Sequence, residues 1–154
     1  MDVLKTLRDE VNNDPLSRGY AAMNNAERSA SLNAKDRSIK IPIPSTEILA
    51  WSAQSSASDR PRIIKLEEAA ASHASEAIKA ISKASLEMIK RDGTALDLNL
   101  PDRMQMVDAL VAGGALSAND KTSLVTLATK TVSRAEELGL PEISESLLQS
   151  AGVI

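Results

Sequence analysis

His73 is the only imidazole in this 154-residue chain, so any Ser-His-Asp relay would have to be built on it. It lies in "AAASHAS", an Ala/Ser-rich helical stretch with no glycine-bounded nucleophile turn, and reads as an ordinary helical residue. The chain has no cysteine, which excludes thiolate zinc sites and disulfides. A transition metal would need carboxylates around a single imidazole, and no close His–carboxylate spacing occurs. "DGTALDLN", residues 92–99, offers oxygen donors but lacks the alternating ligands and terminal Glu of a calcium loop. Glu67 and Glu68 are adjacent, so on a helix they point about 100° apart and form a solvated face rather than an acid/base pair. Gly113-Gly114 has no Lys or Arg in the four residues that follow, which marks a helix stop and not a phosphate cradle. Neither G-x-x-x-x-G-K-[ST] nor G-x-G-x-x-G is present. The chemistry therefore points to a non-enzymatic protein with no cofactor and no metal.

Charge narrows the partners. The net charge is −3, from 18 basic and 21 acidic residues, which is no profile for a polyanion binder. Residues 100–112, the Gly-Gly turn and residues 118–130 have a helix-turn-helix layout. The second helix, however, carries only Lys121 and Lys130 as cations, so an αα-hairpin in a core is the better reading. No apolar run approaches the length that crosses a bilayer, and "MDVLKTLRDEV" lacks the basic-then-apolar pattern of a secretory signal. The expected partners are proteins, with no specific nucleic-acid recognition and no membrane.

The elements that must position these residues read as helices. Val3, Leu4, Leu7 and Val11 recur at helical spacing over 2–12, and "NNDP" ends that helix. Asn24 with Glu27 opens a helix over 25–35. "SIKIPIP", 38–44, reads as an extended arm or edge segment because two prolines exclude a central strand. Ser45 can cap a short helix over 46–54. A long helical pattern follows over about 60–91, with "AAASHAS" as its weak point and Gly93 as its stop. Pro101 starts a helix over 100–112, Ser117 and Asp120 start one over 118–130, Ser133 and Glu136 form a capping box, and Ser144 opens the last helix. No strand is convincing. The expected fold is all-α, a bundle of six to eight helices with an irregular N-terminal region. The polar hinge "SAQSSASD" divides it into 1–58 and 59–154, or leaves it one domain overall. With one Trp, one Tyr and no Phe, such a core holds few large rings, and oligomerisation would add stability.

One connection concentrates backbone constraints: "NNDPLSRGYAAMN", residues 12–24, with the only tyrosine. "LRDEVNNDPLSRGYAAM", followed by "SLNAKDR" and "STEIL", resembles the N-terminal signature of a family of small structural or morphogenesis proteins of tailed bacteriophages. The matching positions are Asp14, Pro15, Leu16, Arg18, Gly19, Tyr20, Met23, Leu32, Asn33, Ser45, Glu47 and Ile48, and "VSRAEELGL", 132–140, resembles the closing signature. Ser17 stands where the family usually has Gly, and 52–100 has no match. The resemblance implies a virion protein, assembled in the bacterial cytoplasm, in a head–tail joining or other accessory role. It would contact copies of itself and portal, capsid or tail proteins. The alternatives are a cytosolic assembly chaperone or scaffolding factor, and a small DNA-binding regulator. It supplies no catalytic residues. In the corner itself, Tyr20 is expected to lie on the first helix while Arg18 points outward. Arg18, Tyr20, Ile39, Ile41, Ile43 and Trp51 are the candidate interface residues, Tyr and Arg being common anchors.

Overall fold

A computed structural model describes residues 1–55, 59–91 and 93–153. Among them the chain forms nine α-helices, one 3-10 turn and two short strands. It is therefore mostly helical but not all-α, and it has more helices than the six to eight expected. In order these are α1 (Val3–Asn13), a 3-10 turn (Tyr20–Ala22), α2 (Asn25–Asn33), β1 (Arg37–Lys40), α3 (Ser45–Ala53), α4 (Arg62–Ser72) and α5 (Glu76–Lys90). Then come α6 (Pro101–Ala112), α7 (Ala118–Leu127), β2 (Thr129–Val132), α8 (Arg134–Glu137) and α9 (Glu145–Ser150). The strands β1 and β2 pair in a two-stranded sheet.

The chain divides into two compact units. Unit 1 is 1–39 with 131–154, and unit 2 is 40–130. The expected boundary at 58/59 touches 56–58, which lie outside the described residues.

Unit 1 is closed by α1, α2, α8 and α9. Asp2 caps α1 by accepting from Lys5 N, and Asp14 ends it in the left-handed conformation at φ 40°. Asn24 and Glu27 form the expected capping box on α2, as do Ser133 and Glu136 on α8. Helix α9 packs on both α1 and α2. The core is Leu7, Val11, Tyr20, Leu32, Leu140, Ile143, Leu148 and their small neighbours.

Unit 2 packs α4 against α5, with α3 against both, α6 against α5 and α7 against α6. Its core runs from Ile43, Ile48 and Trp51 through Leu66 and Leu86 to Val107, Leu110, Leu116 and Leu124. The long helical pattern over 60–91 is broken at "AAASHAS". His73 takes an extended conformation and Ser75 caps α5 by accepting from Ile78 N. Three other expectations are corrected here. Ser45 is the first residue of α3 rather than its cap, since Pro44 holds the cap position without a side-chain bond. Helix α7 stops at Leu127 instead of 130, because Thr129, Thr131 and Val132 are β-branched and continue as β2. For "SIKIPIP" the arm reading falls and the edge-segment reading holds: its first part is β1 of the two-stranded sheet, and Ile43 forms an antiparallel bridge with Leu96, donating at 2.8 Å and accepting at 2.9 Å. The two prolines fall after the strand, where no ladder bond is needed from them.

Candidate functional site

The corner that drew the sequence reading is a hydrogen-bonded knot inside unit 1. Helix α1 ends at Asp14, whose carboxylate turns forward and accepts from the backbone N–H groups of Arg18 (2.7 Å) and Gly19 (2.7 Å). Those bonds hold the Asp14 carboxyl below the usual carboxylate range, although burial acts against the charge. Three residues of this connection have positive φ: Asp14 at 40°, Ser17 at 53° and Gly19 at 82°. Ser17 thus occupies the conformation that favours glycine.

Arg18 does not point outward. Its guanidinium donates to Ser31 O at 2.6 Å and to Asp36 at 2.7 Å, tying the corner to the end of α2. Tyr20 is fully buried in the unit 1 core, and its hydroxyl makes no hydrogen bond among the described residues. Burial raises its pKa against the opposing pull of Arg18. The Tyr20 carbonyl accepts from Arg28, itself buried.

The closing segment meets α1 and the end of α2, on either side of this corner. Asn33 holds the backbone of Ile143 at both ends, accepting from its N–H at 2.9 Å and donating to its carbonyl at 2.7 Å. Lys35 pairs with Glu136, and Arg37 pairs with Glu137 at 2.9 Å. Arg134 forks onto Glu10 through two bonds of 2.8 Å and also reaches Glu137. The hydrogen bond from Lys35 lowers the Glu136 pKa to about 2, and those from Arg37 and Arg134 lower that of Glu137 to about 2. Glu10, buried on α1, is the acceptor that most strongly holds the charge on Arg134.

Unit 2 contains a charge cluster that spacing along the sequence did not reveal. Asp120 is fully buried and accepts from Arg62 Nε at 2.8 Å and from Lys65 Nζ at 2.6 Å. It also accepts from Ser117 N as part of the capping box of α7. Lys65 reaches Asp59 as well, at 2.6 Å. Burial opposes the Lys65 charge, but the bonds to Asp120 and Asp59 outweigh it and hold its pKa above the lysine value. Arg62 donates to the Trp51 carbonyl and lies 4.7 Å from the centre of the Trp51 ring. The only legible signal was the S-x-x-D capping box. Nothing local says that its Asp also faces two cations 55 and 58 residues away.

His73 is equally committed. It caps the C-terminus of α4, its Nδ1 accepts from Ser75 N–H at 2.9 Å, and its Nε2 lies 2.7 Å from the Gly113 carbonyl. Together these partners assign the neutral tautomer with hydrogen on Nε2. Gly113 sits tightly against α5, since a Cβ there would lie 2.7 Å from Ile78.

Of the six candidate interface residues, Tyr20, Ile43 and Trp51 are core residues of their own units, and Arg18 is bonded internally. Ile39 and Ile41 remain half-buried. Leu49, Ile64 and Leu100 in unit 2 are the large apolar side chains most exposed there, at 48%, 39% and 46%. Leu49 follows the buried Ile48 on α3 and lies about 100° round the helix from it. Unit 2 also has an apolar cavity of about 50 Å³, walled by Trp51, Leu66, Met88, Val107 and Leu110. Among the described residues no group of three His, Cys, Asp or Glu side chains could hold a metal ion, and no helix is long and apolar enough to cross a membrane. No protein-family model matches the chain, and neither a curated protein nor a solved structure matches it.

Proposed function

We propose that this chain is a non-enzymatic structural component of a tailed-phage virion. It acts as a head–tail joining or other oligomeric accessory protein, docking on copies of itself and on portal, capsid or tail proteins. One observation carries the reading. The stretches of unit 1 that resemble the phage family, 7–23 and 31–37 on one side and 132–140 on the other, are about a hundred residues apart in sequence, yet they are joined by the pairs Glu10–Arg134, Lys35–Glu136 and Arg37–Glu137. Two short matches that build one folded module support a resemblance of the whole module. Isolated motifs would carry no such relation. The catalytic-type side chains are also engaged: His73 by backbone, and Asp120 by two cations. With Tyr20, Ile43 and Trp51 inside, contact with other subunits falls to the half-buried Ile39 and Ile41 and the exposed apolar side chains of unit 2.

Mass spectrometry of purified particles tests this. The proposal expects the chain at a fixed copy number per particle, and an oligomer in solution by light scattering or on its partner. Absence from finished particles, with the chain abundant during assembly, would replace it by the chaperone reading.

A further inference from the structure

We infer that His73 is a pH-sensitive clasp on the junction between α4 and α5. The inference rests on which atoms the ring meets. Nε2–H donates to the carbonyl of Gly113 at the end of α6, and Nδ1 accepts from the N–H of Ser75, the residue that caps α5. One neutral tautomer satisfies both contacts, and the imidazolium cannot. Acid adds a proton at Nδ1, so the ring then presents N–H at both nitrogens. The bond to Gly113 survives and the one to Ser75 is lost, because a donor faces a donor. Imidazole is the side chain that changes charge between about pH 5 and pH 8.

The charged groups around the ring do not offer the new N–H a substitute. From the segment before α4 comes Arg60, and from α4 come Lys65 and Glu68, which line the same groove. Glu68 is held by Arg60, and Lys65 by Asp59 and Asp120. On α5, Glu76 is paired with Lys79. The turn after α6 contributes Gly113, Gly114 and Ala115, with no titratable side chain. The consequence is local. Ser75 carries the cap of α5, and Ile78 in the first turn of α5 is seated on Gly113. Losing the Ser75 bond loosens that first turn while the ring stays tethered to α6.

The test uses the full chain labelled with nitrogen-15. Long-range proton–nitrogen spectra at about pH 7.5 are expected to show the Nε2–H tautomer. As the pH is lowered and the ring takes up its second proton, protection of the Ser75 amide, corrected for intrinsic exchange, is expected to fall about tenfold in step with the ring signal. In His73→Gln, whose amide can still donate to Gly113, that amide is expected to exchange at the unprotected level throughout. An Nδ1–H tautomer would overturn the inference, as would Ser75 protection that stays constant while the ring titrates, or a variant that keeps the wild-type response. Should the variant fail to fold, the wild-type tautomer and amide measurements decide the matter alone.

Discussion

The two units solve the same problem, closing a small core with almost no rings, in different ways. Each holds one of the two aromatic side chains: Tyr20 in unit 1 and Trp51 in unit 2. Unit 1 is discontinuous in sequence, and its halves are tied by polar side chains on backbone, by ion pairs open to solvent and by one buried pair, Glu10–Arg134. Asn33 grips Ile143, Arg8 donates to the Ala151 carbonyl, and Lys35 meets Glu136 where both are well exposed. Unit 2 is continuous and, beside its exposed pairs, gathers three charges in one dry place, with Arg62, Lys65 and Asp120 all buried. Exposed pairs individually contribute little, whereas a buried pair is strongly destabilising to break on one side only. The comparison teaches that charge can fasten remote segments cheaply at the surface, or fix one arrangement of helices inside.

That contrast can be broken, beginning with the largest expected effect. Asp120→Ala leaves Arg62 buried without its carboxylate and Lys65 with only the half-exposed Asp59, and is expected to cost about 3–5 kcal/mol. Urea unfolding followed by Trp51 fluorescence reads it, and a loss below about 1 kcal/mol would remove the distinction between the units. Leu148→Ala, at a fully buried position of unit 1, is expected to cost about 3 kcal/mol through the cavity it leaves. Hydrogen exchange of the α1 and α9 amides would show it.

Below about pH 4.5, acid should act on the ion pairs of unit 1. The Glu136 and Glu137 carboxyls titrate near 4.5 when unfolded and near 2 when folded. Their contribution is therefore full above about pH 4.5 and is lost as pH falls toward about 2. Amide protection in α8 should decline across that window, and Lys35→Met with Arg37→Met should flatten the decline. The smallest effect belongs to Ser17→Gly. Relief of the left-handed φ, less the added freedom of the unfolded chain, is expected to stabilise by about 0.5 kcal/mol in thermal unfolding.

Much of the local structure was legible. The capping boxes at Asn24, Ser117 and Ser133, the stop at Asp14-Pro15 and the weak point at "AAASHAS" are written in residue types that act within one turn. The strands were not, because four residues of mixed polarity give no alternation long enough to stand out. The candidate site was legible only as a corner. That Asp14 binds its own loop depends on the path of the backbone through Ser17 and Gly19. That Arg18 turns inward depends on where α2 ends, and the burial of Tyr20, Ile43 and Trp51 depends on which helix faces meet.

The sequence by itself determined the scarcity of rings, imidazoles and thiols, together with the helical character and most of the caps and stops, which depend on side chains acting on their own or neighbouring backbone. Only the tertiary structure decided that residues 1–39 and 131–154 form one unit, that Asp120 serves two cations as well as a cap, and that His73 is held at both nitrogens. Those are contacts between residues tens to more than a hundred positions apart. Their partners are chosen by the packing of whole faces, which spacing along the chain does not encode.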